Sequence, residues 1–135
     1  MTSTNASTLP PLVPVMNFAP ELLQRAQGVK LVFLDVDGVL TDGGIYVTEQ
    51  APSGTGQQAG VGESIKRFNT LDGHGLKLLQ KAGITPVIIT GRDSVVLRAR
   101  LQALGIAHAH FGTEDKRPAA EQSLKALGCA WHEAA

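Results

Sequence analysis

The chain has 135 residues, 43% of them apolar and 18% charged, with 12 basic and 12 acidic side chains. That is one domain's length with apolar material enough for a core, and it excludes a disordered chain. The even charge balance argues against non-specific binding to nucleic acid or a membrane surface, and no apolar run approaches a membrane span.

Residues 1–19 read as a disordered N-terminal arm, rich in Thr, Ser and Pro over 1–15, ahead of a core domain at 20–135. The arm has no basic patch followed by an apolar core, so it is not a secretory signal. A short helix is expected from Pro20 to Gln27, with Gly28 just past its end. Leu31-Val-Phe-Leu34 then reads as a buried strand, and Asp35 and Asp37 emerge where it stops, ahead of Gly38. Two carboxylates one residue apart form a hard-oxygen site suited to Mg²⁺, and one of them could act as a nucleophile. A calcium loop is disfavoured, because Val36, Val39 and Leu40 stand where further oxygen ligands would be needed.

Residues 44–68 read as a hairpin, with Ile45–Val47 and Ser64–Phe68 as its arms and a mobile Gly/Gln-rich tip at 51–62. Gly54-Thr55-Gly56 is dismissed as a dinucleotide loop, since no strand leads in and no helix follows. Beyond the hairpin, helix-like stretches end at Gly83, Gly105 and Gly128, each suited to a left-handed cap. Strands are expected at Thr85–Thr90 and Ile106–Phe111, with a helix from Asp93 to about Leu104 between them. Strand alternating with helix predicts an α/β, Rossmann-like parallel sheet with the hairpin inserted, and ligands at the carboxyl ends of its strands.

Charge is segregated along this frame. Residues 31–63 carry five acidic side chains and no Lys or Arg, whereas 64–117 carry nine cations. A site for a metal and an anionic substrate would use such a split, although solvated helix faces produce the same count. Cys129 is alone, so no disulfide framework exists and a reducing cytoplasm is the natural compartment. His108 and His110 alternate along one strand and are too few for a zinc site.

Asp35-Val-Asp37-Gly38-Val-Leu-Thr41 resembles the first motif of the haloacid dehalogenase superfamily of phosphotransferases. Ile88-Ile89-Thr90-Gly91-Arg92 is similar to its second motif, and Lys116 sits at the expected third-motif position. The block Phe68-Asn69-Thr70-Leu71-Asp72-Gly73-His74-Gly75 resembles the capless branch typified by 3-deoxy-D-manno-octulosonate 8-phosphate phosphatase. By that resemblance Asp35 is the nucleophile, Asp37 the acid/base, and both hold Mg²⁺. Thr90, Gly91 and Lys116 hold the phosphoryl group, and Asn69, Thr70, Leu71, Asp72, Gly73, Lys77, Arg92 and Arg100 contribute to a sugar-acid pocket. The resemblance also implies a homotetramer joined through the hairpins, and a role in lipopolysaccharide synthesis.

The same resemblance calls for a further acidic strand end, which does not occur before Ala135. The sequence therefore predicts a sheet lacking its C-terminal strand–helix units, Lys30–Val36 as an exposed edge, and weakened metal binding. Three alternatives stay open: a non-catalytic binding or assembly remnant, a related nonulosonate 9-phosphate phosphatase, and a phospho-accepting signalling domain. The last is disfavoured, because Asp37 supplies the acid/base that turns an aspartyl-phosphate over.

Overall fold

The computed structural model describes residues 19–44, 46–49 and 61–135. The expected arm at 1–18, Ile45 and most of the hairpin tip lie outside these residues. Helix α1 (Pro20–Ala26) opens on Pro20, whose missing N–H costs nothing in a first turn. Strand β1 (Leu31–Leu34) follows, then the hairpin strands β2 (Tyr46–Glu49) and β3 (Val61–Ile65). The remaining elements alternate: α2 (Thr70–Lys81), β4 (Thr85–Ile89), α3 (Val95–Leu104), β5 (His108–His110) and α4 (Lys116–Leu127).

The parallel sheet has the order β1-β4-β5, with Leu31 opposite Thr85 and Val87 opposite His108. Strands β1 and β4 are short, largely apolar runs because both faces of the sheet are covered there. On one face Val36, Leu40 and Ile88 pack with Leu76 of α2 and Leu97, Leu101 and Leu104 of α3. On the other, Leu31, Val87 and Ile89 pack against Ala119, Ala120 and Leu124 of α4. The small alanines let α4 approach the sheet closely. Gly83, Gly105 and Gly128 end their helices at φ between 64° and 80°, the left-handed region that a side chain resists.

Several boundaries differ from expectation for local reasons. The second hairpin arm begins at Val61 and ends at Ile65, so Lys66–Phe68 form the link to α2 rather than a strand. Helix α3 starts at Val95 because the Ser94 side chain accepts the Leu97 N–H as its cap, leaving Asp93 outside. Strand β5 is three residues long, shorter than Ile106–Phe111.

The β1 edge is also covered more than the sequence predicts. A 3₁₀ turn at Trp131–Glu133 brings the chain back beside β1, and Ala134 forms a parallel bridge with Leu31. The Lys30 N–H donates to the Glu133 carbonyl at 2.7 Å, and the Phe33 N–H to that of Ala135 at 2.8 Å. The Lys30–Glu133 ion pair and the Phe33–Trp131 ring contact hold the return, which leaves Leu31 fully buried. Among the described residues, no helix is long and apolar enough to cross a membrane.

Candidate active site at the carboxyl ends of β1 and β4

Strand β1 ends at Leu34, and the next residues turn tightly around one atom. The Val36 carbonyl accepts the N–H groups of Val39, Leu40 and Thr41 at 2.9–3.2 Å, as well as the Thr41 hydroxyl. Val36 itself is fully buried, while Gly38 takes a φ of 79°. Asp35 and Asp37 therefore leave the strand end on either side of an anchored residue.

Each carboxylate meets cations from distant elements. Lys116, the first residue of α4, donates to Asp35 Oδ2 at 2.5 Å, and Asp35 Oδ1 accepts the Val36 N–H at 2.7 Å. Lys66 donates to Asp37 Oδ1 at 2.6 Å, and Arg92 Nε lies 3.3 Å from Asp37 Oδ2. Farther out, Arg67 meets Asp42 at 3.4 Å. The charge blocks separated in the sequence thus pair across the rim of the sheet.

Partial burial pushes the Asp35 carboxyl up. The Lys116 hydrogen bond, the Val36 amide and the Lys116 charge together outweigh it, holding the group below its ordinary value. Thr90 is nearly fully buried at the end of β4, and its hydroxyl accepts the Arg92 N–H at 3.3 Å. Gly91 is exposed between them. Asp35, Asp37, Thr90, Gly91, Arg92 and Lys116 are accordingly brought together.

The other predicted ligands gather along the flank of α2. A cavity of about 400 Å³ is lined by Thr41, Asp42, Arg67, Phe68, Asn69, Thr70 and Asp72. A second, of about 240 Å³, is lined by Thr70, Gly73, His74, Lys77, Arg100 and Leu104. The Asn69 side chain caps α2 by accepting the Leu71 N–H at 2.9 Å while lining the first cavity. Leu71 is 75% exposed and lines neither cavity. Arg100 lies over the Phe68 ring and donates to the Asn69 carbonyl.

Sequence reasoning missed Lys66, whose side chain is only 2% exposed. A signal existed: Lys66 alternates with Phe68, which packs on the core, whereas Ile65 is exposed. Period-two reading of that arm turns Lys66 inward, where a charge needs a partner. His110 bonds Ser123 of α4 at 2.7 Å, a structural contact in keeping with the reading of the histidines as structural.

The donors at the rim suit Mg²⁺ in kind: two hard carboxylates at one strand end, each about a third exposed. Mg²⁺ keeps several waters and is commonly held by one or two carboxylates plus substrate phosphate, so this pair fits it. Among the described residues no group of three or more His, Cys, Asp or Glu side chains surrounds a metal position.

No family model matches the chain. It is 39% identical over 111 residues to the 3-deoxy-D-manno-octulosonate 8-phosphate phosphatase of Yersinia pestis, covering 82% of this chain and 54% of that protein. Against the Haemophilus influenzae phosphatase of the same name the identity is 37%, covering 78% and 52%. The Moraxella catarrhalis phosphatase of that name, solved in complex with a magnesium ion, a phosphate ion and a KDO molecule, aligns with a TM-score of 0.70 at 35% identity. That alignment covers 84% of this chain and 59% of the other. A probable phosphatase from Pseudomonas syringae aligns with a TM-score of 0.72 at 38% identity, covering 87% and 60%. The chain spans about half the length of these phosphatases from Yersinia and Haemophilus.

Proposed function

We propose, on the premise that this chain belongs to the haloacid dehalogenase superfamily, that it is a Mg²⁺-dependent phosphomonoesterase of 3-deoxy-D-manno-octulosonate 8-phosphate. The observation that carries the reading is the convergence of Asp35, Asp37, Thr90 and Lys116 at one sheet rim, each on its motif position. The relatives named for that reaction support the choice of substrate. A cytoplasmic location, a role in lipopolysaccharide synthesis and a homotetramer belong to the same proposal.

The residues divide the work as follows. Asp35 attacks phosphorus through a carboxylate oxygen, and the bond from phosphorus to the sugar oxygen breaks as the aspartyl-phosphate forms. Against partial burial, its carboxyl is held below its ordinary value by Lys116 and the Val36 amide, in keeping with an ionised nucleophile. Asp37 gives a proton to the departing sugar oxygen, then takes one from the water that cleaves the acyl-phosphate and frees Asp35. Lys116 shifts between the carboxylate it now holds and the phosphoryl oxygens, joined by the Thr90 hydroxyl and the Gly91 amide. Mg²⁺, held by the Asp35 carboxylate and the Asp37 backbone carbonyl, would supply charge neutralisation at the phosphoryl group. Arg92, Lys77 and Arg100 offer cations to the carboxylate-bearing end of the sugar acid.

The test is phosphate release from 3-deoxy-D-manno-octulosonate 8-phosphate with and without Mg²⁺, with Asp35→Asn as the blank. Metal-dependent release that vanishes in Asp35→Asn is the expected result. No release above the blank from a folded sample would sink the reading, and faster release from a nine-carbon analogue would redirect it to the related sugar.

A further inference from the structure

We propose that Lys66 is the positioning residue of Asp37: it anchors Oδ1 and leaves Oδ2 as the oxygen that exchanges the proton. The inference rests on the phosphatase reading and deepens it. Asp37 lies past the end of β1, so its carboxylate is placed by the groups it touches rather than by strand pairing.

Two cations hold that carboxylate, and they differ in kind. The Lys66 ammonium is 2.6 Å from Oδ1 and its side chain is 2% exposed. Arg92 Nε is 3.3 Å from Oδ2 and its side chain is 46% exposed. A buried ammonium stays with its counter-charge, because water cannot reach in to replace it. An exposed guanidinium trades partners at little cost. Oδ1 is therefore committed, whereas Oδ2 is bordered by a group that an incoming anion can draw away. Proton transfer needs an oxygen fixed within hydrogen-bond reach of the reacting atom, and Lys66 supplies that fixing. Because Lys66 directly follows β3, the pairing of β2 with β3 sets where the ammonium is delivered.

The experiment compares steady-state phosphate release by the full chain and its Lys66→Met, Lys66→Arg, Asp37→Asn and Lys66→Met/Asp37→Asn variants. Lys66→Met is expected to lower kcat by about 10- to 100-fold with KM held within about twofold. Lys66→Arg should recover part of that loss, and Lys66→Met should add nothing in the Asp37→Asn background. Equal losses in both backgrounds, or a rise in KM alone, would overturn the proposal. If the wild-type chain releases no phosphate, the phosphatase reading fails by itself, and NMR of the lysine ammonium groups decides the Lys66 inference. A slowly exchanging Lys66 signal that is lost or displaced in Asp37→Asn upholds the anchor. A signal indifferent to that substitution overturns it.

Discussion

At the rim of the parallel sheet both carboxylates lie against cations: Lys116 on Asp35, and Lys66 with Arg92 on Asp37. In the smaller of the two cavities on the flank of α2 the pattern reverses. Lys77 and Arg100 line a cavity with His74 and no carboxylate, and a carbonyl and an aromatic ring hold the guanidinium. At the rim each carboxylate has a cationic partner in place, whereas the smaller flank cavity presents two cations and no carboxylate to an incoming anion. Rim substitutions should accordingly strike turnover, and flank substitutions affinity.

The hardest test of that division is Asp35→Asn, expected to lower kcat by at least about 10³-fold while the fold persists. An Arg100→Ala loss of kcat of the same size would break the comparison. Gly73→Ala comes next. A Cβ there would meet Arg100 Nη2 at 2.5 Å and Leu104 Cδ2 at 3.2 Å, so the guanidinium must move off the Asn69 carbonyl. The expected cost is about 1–3 kcal/mol in a denaturant melt, with a raised KM and a kcat near that of wild type.

A smaller effect separates the regions by pH. Asp35 has its folded proton affinity depressed, so the stability of its pair with Lys116 is present above the ordinary carboxylate value of about 3.9 and lost as pH falls through the folded value. Melting curves of wild type and Asp35→Asn should hold a constant separation from pH 5 to 8 and change it only in acid. The smallest change is expected from Lys77→Ala, within about 0.5 kcal/mol in stability. Its signature is a flatter salt dependence of KM, and an unchanged salt dependence would remove Lys77 from the cavity's function.

What the sequence made legible was local. The run Leu31–Leu34 with its terminal Asp pair, and the three glycines that close helices, are written in contiguous residues whose physics acts within a turn. What escaped was set by pairing over distance. Alternation with Phe68 could have turned Lys66 inward, but its partner Asp37 lies 29 positions away, beyond any short window. The return of Ala134 to Leu31 rests on a single 3₁₀ turn, too short to carry a periodic signal. Asn69 is read as a ligand by its motif, and the structure adds a second role, the cap of α2, which only the start of that helix at Thr70 discloses.

The contact between Lys116 and Asp35 spans 81 positions, and that distance bears on how the molecule comes into being. During synthesis β1 and its aspartates emerge early, while their partner strand β4 and then α4 are still to be made. Until Lys116 arrives, Asp35 lacks the ammonium that pairs with it, and Leu31 and Ile89 lack the alanine face of α4. Non-local pairings of this kind fold slowly, since chain entropy is surrendered before the contacts reward it. The rim thus matures only after α4 has emerged, and the return of Ala134 to Leu31 follows it.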